Sequence, residues 1–195
     1  MTAPLIIVSG PSGCGKSTLV RELLRTSSRP LRVSISATTR PERPGEEDGK
    51  HYHFWTRERF ECELQAEKFL EHAKVHGDHY YGTPRSEVEP YLAQGTGVIL
   101  VIDVQGAAQV RQNFPNVYSI FIRVPNDDYR ARLDTRGDSE DAIRRRLQTA
   151  QSELARANEY SAQLVNDDLN KAVDELRRLV ESQFPTLEGD TTNAR

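Results

Sequence analysis

The stretch from Leu5 to Val20, LIIVSGPSGCGKSTLV, constrains this chain more than any other. Leu5 to Val8 form an apolar run, and Leu19, Leu23 and Leu24 follow at helical spacing, so the order strand, glycine loop, helix is predicted. Gly10, Gly13 and Gly15 permit turns that aim several backbone N–H groups at one point, beside the positive end of a helix beginning near Lys16. Such a loop is a cradle for an anion. Gly10 to Ser17 fits the pattern G-x-x-x-x-G-K-S. Gly10, Pro11, Ser12, Gly13, Cys14, Gly15, Lys16, Ser17 and Thr18 are therefore candidates to surround a nucleotide's phosphates. Lys16 would reach the outer phosphates, and the Ser17 hydroxyl would ligand Mg2+.

Further strands are expected in LRVSIS at 31–36, GVILVID at 97–103, VYSIFIRV at 117–124 and QLVN near 163, with helical patterns between them. Alternating strands and helices predict an α/β fold: a doubly wound parallel sheet covered on both faces. A chain of 195 residues has room for one such core with insertions, not for two. With 36% hydrophobic residues and no apolar run approaching the ~18 residues of a membrane span, a soluble protein without a membrane partner is expected. The N-terminus carries no secretory pattern, so the cytoplasm is the expected location. A net charge of −3 argues against a nucleic-acid partner. Two cysteines, one inside the loop (Cys14) and one in a helical pattern (Cys62), do not suggest a disulfide framework.

Two segments depart from the core pattern. Residues 36–95 open with a charged, proline-containing stretch, SATTRPERPGEEDGKHYHFW, and continue through RERFECELQAEKFLEHA, which reads as helical. Thr83 and Pro84 look like an N-cap and first helical residue, and Pro90 is expected to kink or divide the helix that follows. Leu64, Phe69 and Leu70 are expected in this segment's core. Arg40 and Arg43, three apart, together with Tyr52 and Tyr81, suit a second phosphate separate from that of the glycine loop. Glu71 could accept both N1–H and the exocyclic amine of guanine, a pairing that adenine cannot offer. In the other segment, 126–146, six arginines fall within the seventeen positions from Arg130 to Arg146. Ile143, Leu147, Ala150, Leu154 and Ala157 make one apolar stripe there, leaving Arg144 and Arg146 on its flanks. Phosphoryl transfer needs cationic stabilisation of the moving group, so at least one of Arg132, Arg136, Arg144 and Arg146 is expected to face phosphate.

In order and spacing, GPSGCGKST, SATTRPERPGEEDGKHYHF, FLEHA, YYGT, IDVQGA, RLDTRG, RRRL and LVNDDL resemble the guanylate kinases over about residues 4–184. The resemblance implies transfer of the γ-phosphate of ATP to GMP, giving ADP and GDP, with Mg2+ accompanying ATP. The substrates would be its partners, and the chain would act as monomer or homodimer. It further implies one domain over 1–184, with a core (about 1–35, 96–125 and 147–184), a GMP-binding subdomain (36–95) and an arginine-rich lid (126–146); the tail, 185–195, has too little apolar content to pack and is expected to be mobile. By the same likeness Lys16, Arg40, Arg136 and Arg146 are catalytic, and Arg132, Arg136, Asn166 and Asp167 join the loop in binding ATP. Ser36, Arg40, Arg43, Tyr52, Glu71, Tyr81, Thr83 and Asp103 bind GMP. One departure is Val101, where the family usually carries an acidic residue; another is one extra residue between Glu71 and the YYG string.

Three other readings fit less of the chain. DVQG at 103–106 imitates a GTPase string, but the Asn-Lys-x-Asp guanine reader is missing, and NKAVD at 170–174 has one residue too many. A non-catalytic binding module of the same family would have a degraded loop, whereas Lys16 and Ser17 are intact. A kinase of another phosphorylated acceptor, such as a ribose phosphate, is opposed by Glu71 with Thr83. The histidine pairs His51/His53 and His76/His79 lack the companions of a structural zinc site.

Overall fold

Leu5–Ser9 forms the first strand, β1, and all five of its residues are buried, as expected for a strand covered on both faces. The computed structural model describes residues 3–75, 79–127, 129–130 and 140–185. Around β1 lie β2 (Leu31–Val33), β7 (Gly97–Val101), β8 (Tyr118–Arg123) and β9 (Ala162–Val165), in the order β2-β7-β1-β8-β9. Every pairing in this sheet is parallel, with Ile6 opposite Ile99 on one side and Tyr118 on the other. Side chains alternate along a strand, so successive residues enter different layers. Ile6 and Val8 pack with Leu19, Val20 and Leu23 of α1 (Lys16–Thr26), Ile143 and Ala150 of α5 (Glu140–Leu154), and Leu176 and Val180 of α6 (Leu169–Glu181). Leu5 and Ile7 instead meet Val104, Ala107 and Val110 of α4 (Val104–Asn113). The expected doubly wound parallel sheet is present, with strands shorter than the apolar runs. Ser34 to Ser36 leave β2 toward a second sheet, and Asp103 leaves β7 to cap α4.

The second sheet joins β3 (Ala37–Thr38), β4 (His53–Phe54), β5 (Phe69–Val75) and β6 (His79–Pro84) in the order β4-β3-β6-β5. Its apolar heart is aromatic: Phe60 of α2 (Arg57–Gln65) stacks on Phe69 at 4.4 Å and on Tyr80 at 5.3 Å between ring centroids. Three local expectations are corrected here. The helical reading of FLEHA fails, because α2 stops at Gln65 and Glu67 turns the chain through a positive φ of 54° into β5. As β5 is a strand, Phe69 and Leu70 point to opposite sides: Phe69 joins the aromatic cluster, whereas Leu70 packs into the main core with Ile7 and Leu100. Thr83 caps no helix; it lies in β6 and its hydroxyl donates to Glu71. A short 3-10 turn, Arg85–Glu87, follows it, and α3 (Glu89–Ala93) begins afterwards with Pro90 in its first turn, where a missing N–H costs nothing.

Glu87 ties the two sheets together. Its carboxylate accepts from Arg32 of β2 at 2.6 Å and lies 2.9 Å from His53 Nε2 of β4. No helix among the described residues is long and apolar enough to cross a membrane.

Candidate active site

The glycine loop runs from the end of β1 into α1. Gly10 has φ 138°, and a Cβ there would meet the Ile122 carbonyl oxygen at 2.2 Å, so only glycine lets the loop lie against β8. Gly15, at φ 95°, is the N-cap of α1 and offers no side chain to the exposed helix N–H groups, which leaves them for an anion. The ammonium of Lys16 folds back over the loop and donates to the carbonyls of Gly10 at 2.5 Å and Pro11 at 3.2 Å. From behind, the buried Asn166 donates to the Cys14 carbonyl at 2.8 Å. Its neighbour Asp167 accepts from the Asp168 amide, and Asp168 caps α6. Cys14 is itself buried, so the small side chain fills space beneath the loop.

Across from the loop, a cavity of about 180 Å³ is lined by Ser36, Glu71, Tyr81, Val101 and Asp103 among others. Glu71 is buried there, and burial pushes its carboxyl up to about 7 against the downward pull of Thr83, which donates to Oε1 at 2.6 Å. The Thr83 hydroxyl also lies 3.5 Å from that of Ser36. Asp103 reaches the cavity wall, but its Oδ1 caps α4, accepting from the amides of Gln105 and Gly106. A second cavity of about 300 Å³ lies beside α1, lined by Ser17, Val20, Arg21, Ser36, Tyr52 and Val101 among others. Ser36 and Val101 line both.

The arginine of TTRPER is held by an acid from the same stretch. Arg40 is only 8% exposed, and its two terminal nitrogens donate to the two oxygens of Glu46 at 2.6 Å each. This fork holds the Glu46 carboxyl down at about 2, with help from the Arg43 amide, which donates to it at 2.9 Å. The guanidinium sits 5.1 Å over the Tyr52 ring, which in turn meets Tyr81 edge-on at 6.0 Å. Arg43 itself is exposed. Arg40, Tyr52 and Tyr81 thus form one group and Glu71, Thr83, Ser36 and Asp103 another, and Tyr81 lines the same cavity as Glu71, Ser36 and Asp103.

Comparison with known proteins identifies the family. The guanylate kinase family model matches residues 2–183. The chain belongs to the guanylate kinase family. It is 49% identical to a guanylate kinase of a Synechocystis species over 90% of this chain and 92% of the relative. It is 46% identical to a guanylate kinase of Alkalilimnicola ehrlichii over 96% of this chain and 93% of the relative. The crystal structure of guanylate kinase from Anaplasma phagocytophilum superposes with a TM-score of 0.76 at 31% identity, covering 95% of this chain and 88% of that one.

Within the guanylate kinase fold, Arg132 and Arg136 lie outside the described residues. On α5, Arg144 is exposed and Arg146 half-buried, while Ile143 and Ala150 face the core as the apolar stripe requires. Sequence reasoning missed two acids. Glu46 was legible as an acidic neighbour six residues after Arg40, but nothing in the spacing shows the loop that folds it back. Glu153, on the same α5, carries a buried Oε2 without a hydrogen-bond partner among the described residues. Burial raises its carboxyl to about 7, opposed by the charge of nearby Lys16 and reinforced by that of Asp103. A polar residue beside an apolar helical stripe gives no hint that its carboxyl feels the charge of the loop's lysine.

Proposed function

We propose that this chain transfers the γ-phosphoryl group of ATP to GMP, releasing ADP and GDP. The observation that carries the reading is the adjacency of two cavities. A pocket with a buried carboxylate and a cavity that reaches Ser17, at the end of the glycine loop, share Ser36 and Val101 in their walls. A donor and an acceptor bound there would be neighbours, and phosphoryl transfer asks mainly for their alignment and for positive charge around the moving group.

Glu71 reads the base. As a carboxylate it accepts from guanine N1–H and the exocyclic amine, with Thr83 and Ser36 completing the polar edge and Asp103 closing the pocket. Arg40, Arg43, Tyr52 and Tyr81 take the GMP phosphate, Arg40 held in place by Glu46. On the donor side, Gly10, Pro11, Ser12, Gly13, Cys14, Gly15 and Thr18 present the loop and the helix start to the triphosphate. Lys16 exchanges the carbonyls of Gly10 and Pro11 for phosphate oxygens, and Arg146, with Arg132 and Arg136 from outside the described residues, would add positive charge there. Asn166 and Asp167 border the adenine. Closure over both substrates would exclude water, which would otherwise consume ATP without an acceptor.

Mg2+ suits the donor side. The ion keeps several waters and asks for one or two protein oxygens, and Ser17 lines the cavity beside α1. Among the described residues no group of three or more histidines, cysteines or carboxylates could hold a metal, so the remaining ligands would be phosphate oxygens and water. When bound, the ion neutralises charge on the β- and γ-phosphates.

A coupled ADP-release assay with ATP and Mg2+ tests the reading, using GMP, AMP, CMP, UMP and ribose phosphates as acceptors. GMP-dependent release with AMP far poorer is expected. Binding of GMP without turnover would favour a non-catalytic module, and equal use of AMP would remove Glu71 from its role.

A further inference from the structure

The third residue of α4 has no side chain, and the reason lies on the neighbouring strand. A Cβ built on Gly106 would stand 2.6 Å from Glu71 Oε2 and 3.1 Å from its Cδ, closer than non-bonded atoms approach. The Glu71 carboxylate thus occupies the volume that any other residue at position 106 would claim.

Something has to move if that volume is filled, and the surroundings decide what. The backbone at Gly106 is pinned by Asp103, whose Oδ1 accepts from the amides of Gln105 and Gly106 at 2.9 and 2.8 Å. One helical turn on, Gln109 clamps α4 to β5 through both ends of its amide: Oε1 accepts from the His72 N–H at 3.1 Å and Nε2 donates to the His72 carbonyl at 2.8 Å. Since His72 follows Glu71 directly, helix and strand cannot separate at the contact without breaking this pair. The carboxylate is the part free to yield. The open space beside it is the cavity it lines, and the Thr83 hydroxyl holds its Oε1.

We propose that Gly106 is a specificity-determining position, whose missing side chain sets where the base-reading carboxylate of Glu71 stands. The inference rests on the reading of Glu71 as the guanine acceptor. Gly106 touches no substrate and acts through Glu71. An added methyl displaces the carboxylate into the space of the guanine edge, so the base is refused while the donor loop is untouched. The loss therefore falls on GMP and not on AMP, which draws nothing from Glu71.

A double-mutant cycle decides it, with wild type, Gly106→Ala, Glu71→Ala and the double variant compared for kcat and KM with GMP and with AMP, alongside thermal melting. In the wild-type background Gly106→Ala is expected to lower kcat/KM for GMP by about tenfold or more, mostly through KM, and to narrow the gap to AMP. In the Glu71→Ala background the same change is expected to cost less than about twofold, because the atoms it collides with are gone. Equal losses in both backgrounds would overturn the inference, as would a Gly106→Ala enzyme with unchanged KM for GMP. If Gly106→Ala alone does not fold, a folded double variant supports the collision with Glu71, and two unfolded variants refute it. A Glu71→Ala enzyme that keeps full preference for GMP would overturn the reading of Glu71 and this inference with it. A Glu71→Ala enzyme that loses preference, with no coupling to position 106, would overturn the inference alone.

Discussion

In the proposed reading, the acceptor pocket and the donor loop solve the same problem, recognition of a phosphorylated ligand, in opposite ways. In the pocket, side chains are set by other side chains: Glu46 holds Arg40, Thr83 holds Glu71, and Asp103 is committed to the start of α4. On the loop, recognition belongs to the backbone, and the one long cation, Lys16, rests on the loop's own carbonyls until a ligand displaces them. Pre-set side chains give selectivity, since each is placed for one arrangement of donors and acceptors. Backbone amides and a swinging lysine fit any triphosphate, and contribute charge where the reaction needs it. The pocket should therefore govern which acceptor is used, and the loop how fast transfer occurs.

The largest effect expected from that division is at Lys16. Lys16→Ala removes charge from the transferring group and should lower kcat by roughly a hundred- to a thousandfold or more, while binding of GMP measured by calorimetry stays near wild type. A kcat within threefold of wild type would end the assignment, and a lost GMP affinity would break the proposed separation of the two sites.

Glu71 supplies the next effect, and it carries a pH signature. Its carboxyl is raised from an ordinary 4.5 to about 7 by burial, so in the GMP-free protein it is protonated below pH 7. Guanine's donors need the ionised form, so GMP binding should weaken as pH falls below about 7, approaching tenfold per pH unit, and level off above it. For stability the sign is the reverse. A raised carboxyl favours the folded state below the unfolded value of 4.5, and that advantage is lost as pH rises through about 7. Glu71→Gln should then relieve a penalty of about 3 kcal/mol above pH 7 in the free protein, while AMP and GMP become more nearly equal as acceptors. Melting temperatures at pH 5.5 and pH 8, with and without GMP, check both halves. Identical shifts at the two pH values would remove the buried carboxyl as their cause.

Glu46 sharpens the contrast, being an acid whose carboxyl is depressed. Its partnership with Arg40 is complete above the ordinary value of 4.5 and fades only as pH falls through about 2, so it adds no pH dependence near neutrality. Glu46→Gln leaves Arg40 charged but with a weaker holder, and KM for GMP should rise roughly three- to tenfold with little change in kcat. An unchanged KM would mean that Tyr52 and the surrounding rings alone fix the guanidinium.

How much of this was legible in the sequence follows from the reach of each interaction. The loop could be read because its function is local: Gly10, Gly13, Gly15, Lys16 and Ser17 act within one turn of chain. The parallel core could be read because its buried strands are continuous apolar runs. The strand Phe69–Val75 was misread as helix because its period is masked by α2 just before it, and the reversal depends on Glu67 adopting a conformation that glutamate rarely takes. Gly106 looked like part of a motif, not a space, since the carboxylate that needs the space lies on another element. Thr83 was read as a cap for the same reason: its partner, Glu71, faces it across two paired strands and is twelve residues distant in the chain.

The smallest predicted effect tests whether the donor loop is as indifferent to side chains as the comparison holds. Glu153 feels the charge of the loop's Lys16, and it has a buried Oε2 without a hydrogen-bond partner among the described residues and a carboxyl raised by burial to about 7. The charged groups bearing on it are Lys16, which favours its ionised form, and Asp103, which opposes it. Below pH 7 a neutral Glu153 leaves Lys16 to the triphosphate. Above it, the ionised carboxylate competes for the ammonium and repels the incoming phosphates, so KM for ATP should rise by about two- to fivefold between pH 6 and 8.5. Glu153→Gln fixes the neutral form and should abolish that rise while matching wild type at pH 6. KM for GMP follows Glu71 instead and should keep its own pH dependence in this variant. If ATP binding rises and falls with pH equally in both proteins, Lys16 does not feel Glu153, and the loop is governed by its backbone alone.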